Sequence, residues 1–251
     1  MIIEDVRRAD GTQVPEKRRR MRRSTAGLLA LCAVVAFVFV WPVVMLAIGA
    51  FRTEAPGTPG SWTLQGFADA YGSPATYRAF GSSLGYALST QVLAVLLAVF
   101  FAWVATRTTT ALRRIITPMM VTILSIPALF IGIGWGMLGS RPAGLLNVAV
   151  QELTGTDWAP FDVNSWPGLV AVSALKFTAA AYLLVLGPFR ALDRSLEEAS
   201  MMAGGGRVAT FFRVVVPVLA PAVTGVFILG IAVALGVLDL PLLLGLPAQI
   251  T

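Results

Sequence analysis

Five long apolar stretches, at about 27–50, 82–105, 115–138, 167–189 and 219–244, run through the chain between shorter polar connections. Each can cross a hydrocarbon core of about 30 Å, which takes roughly 20 apolar residues as a helix. Lipid offers no partner for free backbone N–H and C=O groups, so stretches of this kind are helical. The chain is 57% hydrophobic and 13% charged, against about 25% charged in a soluble domain. The pattern predicts an all-α membrane protein built as a bundle of about five transmembrane helices.

Lys and Arg are retained on the cytoplasmic side of membrane proteins, so their placement sets orientation. Residues 1–26 form a basic tail that carries Arg7, Arg8, Lys17, Arg18, Arg19, Arg20, Arg22 and Arg23. Arg107, Arg113 and Arg114 follow the second stretch, and Arg190, Arg194, Arg207 and Arg213 follow the fourth. The alternate connections hold only Arg52, Arg78 and Arg141. The N-terminus and the segment after residue 190 are therefore expected in the cytoplasm.

The run Arg18 to Arg23 also has the composition of a nucleic-acid or anionic-lipid patch, and Arg22-Arg23 before an apolar run resembles a secretory signal. That run exceeds the roughly 7–15 residues of a signal core. Residues 27–50 read as a retained first transmembrane helix, lipid is the expected surrounding, and no nucleic-acid partner is expected.

The sequence has no His and one Cys. Ser-His and Cys-His nucleophile pairs and His-based metal sites are excluded, and the few acidic residues are not paired within two spans as an aspartyl dyad requires. Cys32 lies inside an apolar stretch and has no second Cys to pair with, so it says nothing of redox compartment. No catalytic, cofactor-binding or metal-binding residues are assigned, and the expected class is not an enzyme.

Residues 52–80 are rich in Gly, Pro, Ser and aromatics and read as an external segment with a short helix after Leu64. A second external segment covers about 139–166. Pro42, Pro118, Pro127, Pro188, Pro221 and Pro241 lie in or beside the spans, where each removes a donor and tends to kink a helix. Lys176 sits near mid-membrane, and Asp239 lies at a similar depth on about 1.5 Å of rise per residue. The two are a candidate pathway or intramembrane pair, since such charges usually face a bundle interior or a water-filled cavity; a snorkelling or structurally held lysine fits equally.

The connection at residues 190–217 is too polar to be a span yet strongly patterned. Leu196, Ala199 and Ala203 fall at helical spacing; after Gly204, Gly205 and Gly206, so do Val208, Phe211, Phe212 and Val215. Two short amphipathic helices are expected to meet at a glycine corner, with Pro217 marking where the second yields to the next span. Such a knob could receive a push from a soluble partner, with Phe211 and Phe212 as apolar anchors. Helices lying in the membrane interface have the same pattern.

This loop resembles the E-A-A signature of binding-protein-dependent ABC importer permeases, which runs E-A-A, three residues, G, nine residues, I-x-L-P. Glu198, Ala199, Gly204, Val214, Val216 and Pro217 fall on those positions. Ser200 stands for the second Ala, Ala203 for a frequent acidic residue, and Val for Ile and Leu. Gly144-Leu145-Leu146-Asn147, Leu192 to Glu198, and Asp239 to Pro247 extend the likeness over residues 80–251. The resemblance implies a type I importer permease domain whose loop docks on a cytoplasmic ATP-binding subunit. It also implies a second permease domain, fused or separate, an extracytoplasmic substrate-binding protein, and a bacterial inner membrane. The sequence has no Gly-rich segment ending in Gly-Lys-Ser/Thr, so ATP chemistry would belong to the partner. Leu240 to Pro247 is most like the ferric-iron branch, with thiamine, polyamine and phosphonate branches sharing the pattern. On that reading the chain is the N-terminal half of a longer permease. A non-transporting structural subunit is the reading from another class.

Overall fold

A computed structural model describes residues 16–54 and 57–245; the first fifteen residues of the basic tail and Leu246 to Thr251, including Pro247, lie outside the described residues. The chain divides into two units, Met1–Thr76 and Tyr77–Thr251.

In the first unit, helix α1 (Glu16–Ala50) holds the first apolar stretch and passes through Pro42. It is apolar on every side from Gly27 onward, as a lipid-facing helix must be. The chain then folds back on itself: Thr53 N donates to Ser61 O at 3.1 Å and Thr63 N to Phe51 O at 2.9 Å. Arg52 organises this turn by donating from Nη2 to Thr58 O at 2.8 Å, with its guanidinium 5.9 Å from the Trp62 ring centre. The short helix expected after Leu64 is α2 (Gln65–Gly72).

Helix α3 (Pro74–Arg107) opens the way into the second unit. It is followed by α4 (Arg113–Ser125), α5 (Ala128–Gly139), α6 (Leu145–Thr154), α7 (Trp166–Ala191), α8 (Arg194–Met202), α9 (Arg207–Thr210) and α10 (Val216–Gly236). Among the described residues the fold is all-α, apart from the isolated bridge between Arg52 and Trp62. Among the described residues four helices are long and apolar enough to cross a membrane, or five if the bent pair α4 and α5 is one span.

α7 is the hub, touching α4, α5, α10 and the last helical turn. Along α3, Ala87, Ala94, Ala98 and Ala102 recur at helical spacing and are fully buried, and Thr178 Oγ1 of α7 lies 3.4 Å from Ala94 O; small residues let backbones come close where lipid supplies no hydrophobic drive. Polar pairs then fix rotation. Tyr86 Oη donates to Ser173 Oγ at 2.9 Å between α3 and α7, and the Thr117 and Tyr182 hydroxyls lie 2.7 Å apart between α4 and α7. The opposite stripe of α3, with Leu88, Val92, Leu96 and Phe100, is exposed.

Two expectations about spans differ from the structure. The stretch 115–138 is not one straight helix: α4 and α5 meet at 102° across Ile126 and Pro127. Pro127 forces the preceding residue toward extended backbone, and Ile126 sits at φ −77°, ψ 124°. The stretch 219–244 is also interrupted. α10 ends at Gly236, Val237 is extended, and helix resumes through a π turn at Pro241–Gly245.

The segment 139–166 is ordered by Asn147, fully buried, whose Nδ2 donates to Phe161 O at 2.8 Å while its Oδ1 accepts from Phe161 N at 2.9 Å. The Gly-Leu-Leu-Asn motif thus ends on the residue that clips this segment to itself.

Candidate coupling site

The loop begins where α7 stops at Ala191. Asp193 caps α8: its Oδ1 accepts from Ser195 N at 2.9 Å, meeting one of the amides every helix start leaves without an internal partner. That bond favours the ionised form and holds the Asp193 carboxyl below its ordinary range. Glu197 lies in the first turn of α8, where the positive end of the helix dipole favours it.

α8 closes in a Schellman arrangement. Gly204 N donates to Met201 O and Gly205 N to Ser200 O, both at 3.0 Å, with Gly204 at φ +89°. Only glycine adopts that conformation without strain. Gly205 is required for a different reason, since a Cβ there would lie 2.8 Å from the Ser200 carbonyl oxygen. The expected corner is therefore a two-glycine structure. Ser200, the departure from the E-A-A pattern, contributes a bond of its own, its Oγ lying 2.9 Å from Thr210 Oγ1 on the far arm.

The second arm differs from the sequence reading. α9 passes through a π turn, Phe211–Val215, directly into α10, so helix is continuous from Arg207 to Gly236. Pro217 lies within that helix, in the first turn after the π segment, rather than at a boundary. The face expected from Val208, Phe211, Phe212 and Val215 is split as well. Val208 and Phe212 are exposed, whereas Val215 is buried and Phe211 packs on the core, edge-on to Trp103 at 5.9 Å. Phe212 remains 64% exposed with its ring 5.2 Å from that of Phe211.

On α8 the outward side carries Glu198, Ala199 and Met202, the last 90% exposed. Leu196, Val208 and Phe212 add exposed apolar area to the same knob. A cleft of about 880 Å³ runs between the end of α3 and the loop, lined among others by Phe100, Trp103, Met201 and Phe211. Arg107 and Glu197 form part of its wall, and their ion pair was not foreseen. No local signal marks that pair, because the residues stand 90 positions apart.

The structure does not bring Lys176 and Asp239 together as an ion pair. Lys176 Nζ donates to the carbonyls of Ile123 at 2.9 Å and Leu124 at 3.1 Å, and also to that of Ile126. These are carbonyls that the end of α4 leaves open, and a cation is favoured there. Asp239 is exposed, just past the break after α10. Among the described residues no cluster of His, Cys, Asp or Glu could hold a metal ion.

Residues 94–251 match the family described as the binding-protein-dependent transport system inner membrane component. The chain belongs to this family. As a member it is a multi-pass inner-membrane protein. It is 25% identical over 199 residues to the sulfoquinovosyl glycerol transport system permease protein of Agrobacterium fabrum, covering 76% of this chain and 62% of that one. It is also 25% identical over 226 residues to the ferric transport system permease protein of Actinobacillus pleuropneumoniae, covering 87% of this chain and 31% of that one. The chain thus spans less than two thirds of either relative. A bacterial ABC transporter involved in import of the acidic polysaccharide alginate shares the fold, with a TM-score of 0.70 at 13% identity over 93% of this chain and 81% of that one.

Proposed function

We propose that this chain forms part of the substrate pathway of an ATP-driven importer and that the loop 190–217 docks on a cytoplasmic ATPase subunit. The observation that carries this reading is the knob. Its outer side presents Glu198, Ala199, Met202 and Phe212, and its corner is locked by Gly204 and Gly205. Its second arm is the same helix as the span α10. A push on the knob therefore moves a membrane helix without bending a flexible joint. Hydrolysis takes place in the ATPase. A second permease domain and an extracytoplasmic binding protein complete the assembly.

For the substrate, ferric iron is favoured by the sequence Leu240 to Pro247 and by the ferric relative. A sugar derivative is the second reading, favoured by the equal identity of the sulfoquinovosyl glycerol permease. Uptake of labelled ferric complex and of labelled sugar glycerol by cells carrying the complete system decides between them.

The docking reading is tested by cross-linking Met202→Cys to the co-expressed ATPase and by the uptake-to-hydrolysis ratio of Gly204→Pro. Cross-linking is expected, with membrane insertion intact and hydrolysis uncoupled in the proline variant. Normal coupled uptake by Gly204→Pro would refute the role. Failure to co-purify with any ATPase would favour a non-transporting structural subunit.

A further inference from the structure

The structure assigns Arg107 and Glu197 to a second mechanical link, one that carries movement of the coupling knob into α3; the inference rests on the docking reading above. By covalent connection α8 can move only its chain neighbours, α7 through Leu192 and α10 through the glycine corner. α3 is far away in sequence. It is nevertheless tied to the knob at its last residue. Arg107 Nε donates to Glu197 Oε1 at 2.6 Å and Arg107 Nη2 to Leu192 O at 3.0 Å. A reciprocal bond runs from Arg194 Nη2 to Thr106 O at 3.0 Å.

Exposed ion pairs hold little. This one is different in setting, with side-chain exposures of 8% and 16%. The bond is charge-assisted, the guanidinium fork engages two acceptors, and each charge sits at the helix end whose dipole it complements. Trp103, one turn back on α3, also meets Phe211 on the second arm edge-on at 5.9 Å. The end of α3 is therefore gripped by both arms of the knob, and Glu197 supplies the ion pair of that grip, beside the bonds at the Leu192 and Thr106 carbonyls. Arg107 and Glu197 are positioning residues, acting on α3 through the knob.

The test uses the transporter assembled with its ATPase and binding protein in nanodiscs, on a Cys32→Ser background. Spin labels on Val92→Cys and Leu184→Cys report α3 against α7; labels on Met202→Cys and Leu184→Cys report the knob. Both distances are expected to shift on trapping with ATP and vanadate. In Glu197→Gln and Arg107→Gln the knob should still shift while α3 loses more than half of its shift, and uptake per ATP should fall several-fold. Arg107→Glu with Glu197→Arg should recover more than half of the α3 shift, which a merely stabilising contact would not require.

A full α3 shift in Glu197→Gln overturns the link while leaving the docking reading intact, as does a reversed pair that assembles and leaves α3 still. A wild-type knob that ignores ATP and vanadate overturns the docking reading and this inference with it. Should the single variants fail to assemble, the reversed pair alone decides by the same criterion.

Discussion

The hydroxyls of Ser200 and Thr210 lie 2.9 Å apart across the glycine corner, joining the two arms of the loop directly. This bond exists because a position where the signature carries Ala holds Ser instead. Ser200→Ala should therefore cost about 1–3 kcal/mol, the penalty for leaving a buried hydroxyl, that of Thr210, without its partner. Thr210 is buried, so the loss should not be made good by water. Thermal unfolding in detergent of Ser200→Ala, Thr210→Val and the double variant checks this; the double variant should be no worse than the sum.

Gly204 and Gly205 should fail in different ways. Gly204→Ala meets no atom within 4 Å but must hold φ +89°, a cost of about 1–2 kcal/mol. Gly205→Ala meets the Ser200 carbonyl at 2.8 Å, backbone against Cβ, so the end of α8 must move. Uptake per ATP should accordingly suffer more in Gly205→Ala than in Gly204→Ala, even where the two melt alike. Equal coupling in both would show that corner geometry is not what matters.

Lys176→Met should destabilise the bend between α4 and α5, because it removes the donor shared by Ile123, Leu124 and Ile126. An acceptor left open where water does not reach costs about 1–3 kcal/mol; the Ile123 carbonyl is part-buried and those of Leu124 and Ile126 are exposed, so the loss should lie at or below that range. Asp239→Asn should leave the melting temperature unchanged, since Asp239 is exposed here. A pairing of Lys176 with Asp239 at another stage of the transport cycle would require Lys176 to release those carbonyls. Lys176→Cys with Asp239→Cys should then cross-link only in a nucleotide-trapped state; no cross-link in any state rejects the pair.

The α8 cap should be acid-sensitive. The Asp193 carboxyl is held below its ordinary value by the Ser195 backbone and side chain. Its ionised form is therefore favoured in the folded loop, and its contribution is complete above the unfolded value of about 4. That contribution is lost as pH falls through the depressed folded value. Hydrogen exchange of the α8 amides, corrected for intrinsic rate, should show this fall in the wild type. Asp193→Ala should be less protected at neutral pH and show no such fall.

Much of the fold was legible because membrane helices are written in composition and length. The apolar stretches fall on α1, α3, the α4 and α5 pair, α7 and α10. The three-glycine run likewise announced a corner, and Gly204 carries the positive φ that such a turn needs. What stayed hidden depends on geometry between elements. Pro127 announces a kink, but not its size of 102°. Phe211 and Phe212 look equivalent as neighbours in sequence, yet one is taken by Trp103 and the other stands free of the core. Arg107 and Glu197, and Lys176 and the carbonyls of α4, are pairs between distant segments, and periodicity carries no information about those.

The unbroken helix from Arg207 to Gly236 has 30 residues, about 45 Å at 1.5 Å per residue, long enough to serve as a crankshaft through the bilayer if the loop docks as proposed. A π turn inserts one extra residue, and each residue turns an α-helix by about 100°. The width of the turn at Phe211–Val215 thus sets the angle between the knob and everything α10 faces inside the membrane. Were that turn to tighten to ordinary α geometry, torque at the cytoplasmic end would arrive at the outer leaflet out of phase by roughly a quarter of a revolution.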